Sequence, residues 1–355
     1  MATVPTARRQ LEKIAQAIDE FGKDTWKEMS TDWLSFRGHS GSAVLNEEHL
    51  TTTLTRRIKA MGGVSQYVFR SKAMEAKTGA DWEWWITRDG TNWRCARVQA
   101  KMAYPRTAAL TARYPALKDT VGRSRRLQID ALLSSSAQGL DSHGHMSGNS
   151  ATFVITPYYC FYNGWPTTPP GHDEYGVAAA AAVRGLQSEL AAAASVRASA
   201  PTWNSWAIDY HDHDQVCSGR VAYDCRDCGD RLGYISKSHI AYWGASALHA
   251  ELVKAQFAGA ASEPEVEPFF KQSLPLSTIL FTEYGLLPAP HATGDNDGAR
   301  PDDRPRAGSA PEYVTQIQQL RTADALRPDL IQSLDGLGER SGLTAVAVVD
   351  LSDYR

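Results

Sequence analysis

The sequence predicts an α/β protein: a core that runs helix, three strands, helix, strand around a mixed central sheet, with flanking helices and a C-terminal α+β region. Three observations predict it. An amphipathic helical segment covers residues 46–61, two strand-like runs flank the turn dipeptide Asp89-Gly90, and a second helical segment (124–136) precedes an apolar strand (151–159). Hydrophobic residues make up 43% of the 355 residues, a length that predicts about two compact units.

The N-terminal segment, residues 1–40, is predicted to form a helix over residues 8–36. Its apolar positions recur at helical spacing, at Leu11, Ile14, Ile18 and Phe21. The segment lacks the apolar stretch of a secretion signal, and the Ala-rich segment 173–198 is too polar to span a bilayer. We therefore expect a cytoplasmic protein without membrane contact.

The first core helix is predicted to begin after Asn46 and to end at Gly62-Gly63, because asparagine is a favoured N-cap and glycine a favoured helix end. Its apolar stripe consists of Leu50, Leu54, Ile58 and Met61. At about 100° per residue, Glu47 falls on this stripe, whereas Glu48 points away from it. We expect Glu47 to face the sheet, with Glu48 as an outer supporting acid.

After an extended stretch at residues 66–70, the two runs around Asp89-Gly90 form a predicted hairpin. Successive strand residues point to opposite faces, so Gln99 and Lys101 share one face. A two-residue loop at Asp89-Gly90 would pair Asp81 with Val98 and send Gln99 to the opposite face from Asp81. A catalytic site that uses both side chains needs an odd loop, such as residues 89–91, or a bulge, and we predict that register.

This order of elements carries an acid on the helix, Asp81 at the start of a strand after Gly79-Ala80, and Gln99-Ala100-Lys101 on the next strand. It resembles the PD-(D/E)XK restriction-endonuclease-like nuclease superfamily over residues 41–165. It departs from the commonest pattern because Gln99 stands where Asp or Glu is usual. Gln-x-Lys is the form found in Mrr-like restriction nucleases and in several nuclease effectors of bacterial anti-phage systems.

The resemblance implies a metal-dependent nuclease, a DNA endonuclease with a role in anti-phage defence, whose catalytic residues are Glu47, Asp81, Gln99 and Lys101. Glu47, Asp81, Gln99 and the carbonyl of Ala100 would hold Mg²⁺ or Mn²⁺, which prefer oxygen ligands. The ion would acidify a bound water, and Lys101 would offset negative charge on the phosphate.

Two further polar residues are assigned supporting roles. Glu83 shares a face with Asp81 and is interpreted as an outer residue of the site or as a partner for Arg97. Gln128, on the second core helix, is expected to reach the site.

Each site residue also has a plain structural interpretation. Asp81 would cap a turn, Glu47 would complement the helix dipole, and Lys101 would be a solvated strand end. The rival function is therefore a catalytically inactive copy of the fold that binds nucleic acid or protein.

Nucleic-acid binding is predicted from a local run of basic residues, although the whole chain has 37 Lys+Arg against 40 Asp+Glu and a net charge of −3. After Lys101, this run has Asp119 as its only acid. The expected contacts to double-stranded DNA are Arg106, Arg113, Lys118, Arg123, Arg125 and Arg126. The alternative is a solvated loop and helix face.

Five cysteines, an odd number, argue against a disulfide framework in a cytoplasmic chain. Cys225 and Cys228 form a single CxxC, and with Cys217 and one of His211, His213 or His239 they are candidate ligands of a structural zinc ion. The alternatives are a reduced loop with buried thiols and, at the level of function, a zinc-organised interaction protein.

Beyond the core, residues 166–290 are predicted to be a helical and α+β elaboration, 291–310 a flexible loop, and 311–355 a C-terminal helix and strand. Within them we predict helices over residues 173–198, 240–257 and 312–320, and strands at 276–284 and 343–351. A homodimer or higher oligomer is expected, because nucleases that cut both strands often pair two sites. A protein of the same defence system is a candidate partner.

Overall fold

The computed structural model describes residues 6–35, 45–68, 78–105, 112–121, 126–138, 155–164, 244–257, 266, 269, 273–284, 310–322, 328–341 and 345–354. The helices are α1 (Thr6–Ser35), α2 (Glu47–Lys59), α3 (Gln128–Gln138), α4 (Ala250–Phe257), α5 (Thr278–Tyr284), α6 (Glu312–Thr322) and α7 (Pro328–Ser341). Among these residues no helix is both long and apolar enough to cross a membrane.

The strands comprise one large sheet and two short ribbons. They are β1 (Val64–Val68), β2 (Trp82–Thr87), β3 (Trp93–Met102), β4 (Tyr104–Pro105), β5 (Ala112–Arg113), β6 (Thr120–Val121), β7 (Arg126–Leu127), β8 (Ile155–Tyr162), β9 (Ala245–His249), β10 (Leu274–Pro275) and β11 (Ala345–Asp350). The large sheet has seven strands in the order β1-β11-β2-β3-β8-β9-β10. It is mixed, because β11 runs parallel to β2 and β3 parallel to β8, whereas the other pairs are antiparallel.

The predicted α/β class is confirmed, and so is the order helix, three strands, helix, strand in α2, β1, β2, β3, α3 and β8. The C-terminal strand β11 lies inside this sheet, between β1 and β2. The strand predicted at 343–351 therefore belongs to the same sheet as the core strands.

The hairpin β2–β3 has the predicted odd loop. Thr87 pairs with Trp93, which leaves the five residues 88–92 in the loop. Asp89 closes it, because its Oδ1 accepts from the backbone N–H groups of Thr91 (2.9 Å) and Asn92 (2.7 Å). Gly90 has a positive φ of 77°, which glycine adopts without strain.

The two core helices form close to where the sequence predicts them. Asn46 caps α2 as predicted, since its side chain accepts from His49 N at 2.8 Å. Leu50, Leu54 and Ile58 are buried in the core. α3 begins at Gln128, four residues later than expected, because β7 occupies residues 126–127.

Two predictions in the C-terminal half are wrong. Of the described residues 244–257, 245–249 form β9 and 250–257 are α-helical, although 240–257 was expected to be one helix. This short run of small residues is buried and pairs antiparallel with β8, so sheet pairing decides its conformation rather than helix propensity. Residues 278–284 form helix α5, where a strand was expected, because this segment packs as a buried helix against β2 and β3.

Candidate active site

Asp81 lies directly before β2, where a close crossing of α3 fixes the backbone. Gly79 has a φ of 67°, and a Cβ at this position would lie 2.5 Å from Gln128 O and 2.7 Å from Leu132 N. No other residue fits so close to the α3 backbone. The glycine of the Gly-Ala-Asp sequence therefore allows α3 to approach the start of β2, which brings Gln128 to the site.

The register of the hairpin brings Asp81 and Gln99 together. Trp82 pairs with Val98, and Asp81 N donates to Val98 O at 2.9 Å, so the next residues outward face each other. Gln99 Nε2 donates to Asp81 Oδ2 at 2.7 Å, and the backbone N–H of Ala100 donates to the same oxygen at 2.7 Å. Asp81 is thus held by two donors from β3.

Gln128 extends this contact into a chain of amides. Its Nε2 donates to Gln99 Oε1 at 2.7 Å, while Gln99 Nε2 also lies 3.1 Å from Ala100 O. Reversing the Gln99 amide would set its oxygen against the Asp81 carboxylate and its NH₂ against that of Gln128. The network therefore fixes the Gln99 orientation, with its oxygen engaged by Gln128.

Glu47 contacts the same strand at the residue after Lys101. Its Oε1 accepts from the backbone N–H of Met102 at 3.0 Å, and its side chain is partly exposed. Burial raises the pKa of the Cys160 thiol well above its ordinary value; a hydrogen bond with Tyr162 opposes this rise, and the charges of Asp81 and Glu47 add to it. Asp81 and Glu47 thus both accept from backbone N–H groups of β3, at Ala100 and Met102 respectively.

Lys101 lies on the same face of β3 as Gln99, opposite Phe161 of β8, and is only 3% exposed. No ion pair within the described part of the chain engages its ammonium group. It is therefore a buried strand residue rather than the solvated strand end of the alternative interpretation.

Glu83 is the partner of Arg97. Its Oε1 accepts from Arg97 Nε (2.9 Å) and Nη2 (2.6 Å), and its Oε2 accepts from Trp85 Nε1 (3.0 Å) and Tyr313 Oη (2.7 Å). All four side chains are buried. Burial alone would lower the pKa of Arg97, but the charge and hydrogen bond of Glu83, together with Cys95 and Tyr313, outweigh it and raise that pKa. Glu48, the other predicted supporting acid, is exposed on the first turn of α2.

The basic run can be followed only in part. Lys118 is partly exposed in a 3₁₀ turn, and the exposed Arg126 donates to Asp130 O at 2.6 Å. The side chain of Arg113 and the whole of Arg106, Arg123 and Arg125 lie outside the described residues. So do the candidate zinc ligands Cys217, Cys225, Cys228, His211, His213 and His239. Within the described part, Cys95 and Cys160 are buried free thiols, and no three His, Cys, Asp or Glu side chains form a metal-binding group.

Sequence reasoning missed Tyr159 of β8. It pairs with Gln99 across the β3–β8 register and is fully buried. An aromatic residue in an apolar strand ordinarily belongs to the core, so the sequence gives no signal for it. Only the register of two strands far apart in the chain reveals this position.

Comparison with known proteins yields one match. Residues 14–353 match the family described as "Family of unknown function (DUF6615)". No curated protein and no solved structure matches the chain. The matched range begins in α1 and extends beyond β11, so it includes the described flanks as well as the core sheet.

Proposed function

We propose that this chain, which belongs to the family of unknown function DUF6615, is a divalent-metal-dependent nuclease that hydrolyses phosphodiester bonds of DNA. One observation carries the proposal. The hairpin register sets Asp81 against Gln99 with Lys101 on the same face, while Glu47 contacts the same strand at Met102. This is the combination of two acids, an amide and a lysine that the resemblance to PD-(D/E)XK nucleases requires.

The donor set is compatible with Mg²⁺ or Mn²⁺. Mg²⁺ is commonly bound through one or two carboxylates and keeps several waters, so a site without three acidic side chains still fits it. Asp81 and Glu47 would hold the ion, together with the Ala100 carbonyl. Because Gln99 Oε1 accepts from Gln128, we assign Gln99 to orienting Asp81 rather than to binding the metal.

The protein groups have separate tasks in this scheme. When bound, the ion supplies charge neutralisation at the phosphate and an acidified water. Gln99 and the Ala100 N–H hold Asp81 Oδ2 in place, which preorganises the carboxylate. Lys101, buried on the face of β3 that carries Gln99, offsets the additional negative charge of the transition state, where a desolvated ammonium is most effective.

DNA would approach along the basic run that follows Lys101. Lys118 and Arg126 are its described members, and both retain surface exposure. Sequence-independent phosphate contacts of this kind supply most non-specific affinity and weaken with salt. We place the protein in the bacterial cytoplasm and, on the resemblance, in anti-phage defence.

The test is cleavage of supercoiled plasmid by the full chain with Mg²⁺, Mn²⁺ or EDTA. We expect cutting with either metal and none with EDTA. D81A and K101A should each lower the rate at least about 100-fold, as removal of groups that stabilise transition-state charge does. The exposed residues Asp353 and Lys59 provide matched controls, D353A and K59A, which should cut like wild type.

Two results would contradict the proposal. Cutting that survives D81A and K101A would place the chemistry elsewhere. DNA binding without cutting under any metal would identify the catalytically inactive binding module.

A further inference from the structure

Two polar atoms next to the candidate site are buried without a protein partner in the described part of the chain. One is the hydroxyl of Tyr159, and the other is Oε1 of Gln128, whose Nε2 donates to Gln99. Native proteins satisfy nearly all such buried groups, with protein atoms or with ordered water. An adjacent pair of them therefore calls for an occupant.

Both residues neighbour Gln99 on one face of the sheet. Tyr159 is the neighbour of Gln99 across the parallel strands β3 and β8, so both side chains point to one face. Gln128 contacts Gln99 from α3, and α3 packs against β8. Burial raises the pKa of Tyr159, and the charges of Asp81, Asp119, Asp130 and Glu47 raise it further. Tyr159 and Gln128 therefore both lie between α3 and the sheet, beside Gln99.

The chemistry of the pair identifies the occupant. Tyr159 stays protonated and offers a donor, whereas Gln128 Oε1 is an acceptor. An anion would satisfy only the donor and would be repelled by the surrounding carboxylates, and a cation would satisfy only the acceptor. A water molecule satisfies both.

We infer that one buried water molecule bridges Tyr159 Oη and Gln128 Oε1, and that Tyr159 is a positioning residue of the site. The water holds the Gln128 amide in the orientation from which it donates to Gln99, and Gln99 in turn holds Asp81. Only the consequence for metal binding rests on the proposed function. The water itself follows from the unpartnered atoms.

Tyr159→Phe removes the hydroxyl and keeps the ring, and Tyr158→Phe is the matched control on the same strand. Tyr158 faces the other side of β8, where its hydroxyl donates to Glu283 at 2.9 Å. A high-resolution crystal structure of the full chain should show a water between Tyr159 and Gln128 in wild type and in Y158F, and no such bridge in Y159F. A dry site in wild type would overturn the inference.

Thermal unfolding gives a second, independent readout. If water satisfies the hydroxyl, Y159F should lower Tm by a few degrees or leave it unchanged. If the hydroxyl is unsatisfied, its removal should raise Tm, because the cost of burying it disappears. A raised Tm therefore contradicts the bridging water.

Binding of Mn²⁺, followed by electron paramagnetic resonance, tests the positioning role without any cleavage assay. We expect Y159F to weaken Mn²⁺ binding about tenfold or more, as loss of a supporting outer contact does, and Y158F to leave it unchanged even if it lowers Tm. Equal Mn²⁺ affinity in Y159F and wild type would overturn the positioning role. Wild type that binds no Mn²⁺ at all would remove both that role and the metal-dependent function, while the crystal and thermal results still decide the water.

Discussion

Two neighbouring cross-strand pairs on one face of β2 and β3 differ in a single chemical respect. Glu83 faces Arg97, and the pair is buried with both carboxylate oxygens hydrogen-bonded. Asp81 faces Gln99, a neutral amide, and retains partial exposure. The first carboxylate faces a cation, whereas the cross-strand partner of the second is a neutral amide. The comparison teaches that an acid paired with an amide can bind an external cation without breaking a cross-strand ion pair.

The largest expected effect comes from unbalancing the closed pair. R97M should lower the free energy of unfolding by about 3–5 kcal/mol, because it leaves the Glu83 charge buried without its cation. Urea unfolding measures this, with the exposed Arg56 changed to Met as the matched control. The double variant E83Q/R97M should recover part of the loss. A loss no larger than that of R56M would show that the pair is not the closed unit described.

A medium effect is expected from giving the open pair a second charge. Q99E sets a carboxylate against Asp81 and should cost about 1–3 kcal/mol at pH 7, since two close carboxylates raise the pKa of one of them. A carboxylate whose pKa is raised in the folded state destabilises the fold when it is ionised. The loss of unfolding free energy in Q99E should therefore shrink as pH falls towards about 4.

The metal dependence of Q99E sharpens the comparison further. If Asp81 belongs to a cation site, millimolar Mg²⁺ should reduce the loss of stability at pH 7, because a cation bound between the two carboxylates offsets their repulsion. Q16E, a change at an exposed position of α1, is the control and should respond to neither pH nor Mg²⁺. Indifference of Q99E to both would mean that residue 99 does not face Asp81.

The smallest expected effect on stability comes from the loop of the β2–β3 hairpin, whose length sets the register that both pairs depend on. Burial opposes ionisation of Asp89, but hydrogen bonds from Asn92 and Thr91 outweigh it and hold the pKa of Asp89 below its usual range. D89A should therefore lower the free energy of unfolding by about 1 kcal/mol at neutral pH, a modest amount because the group is partly exposed. Because the folded-state pKa is depressed, the advantage of wild type is complete above the unfolded-state pKa of about 4 and declines as pH falls below it.

Urea unfolding of wild type and D89A at pH 7 and pH 3 measures that advantage. A difference that is equal at both pH values, or larger at pH 3, would contradict the role of the ionised Asp89 carboxylate in the loop.

The sequence was sufficient for the parts of the site that depend on local rules. Asn46 and the apolar stripe predicted α2, and strand parity predicted the odd loop that sets Asp81 against Gln99. Gln128 was expected at the site, and it contacts Gln99. The cap and the loop depend on residues that are close in the chain, whereas Gln128 reaches Gln99 across 29 positions.

The remainder depends on pairings that no local pattern encodes. Tyr159 reaches Gln99 only through the β3–β8 register, and Tyr313 reaches Glu83 from a helix far along the chain. The sequence predicts helix for residues 245–249, because a short run such as Ala-Ser-Ala-Leu-His fits either conformation. Pairing with the neighbouring strand β8 decides it.

The position of β11 has a consequence for how the protein is made. Strands β1 and β2 are close in the sequence, yet they are held apart by a strand synthesised long after both. In a nascent chain on the ribosome, the edge of β2 that pairs with β11 therefore stays unpaired until residues 345–350 have been synthesised. Pairing between strands so far apart in the sequence is slow. If the chain is the nuclease proposed above, its activity would be delayed until this strand has been synthesised and inserted.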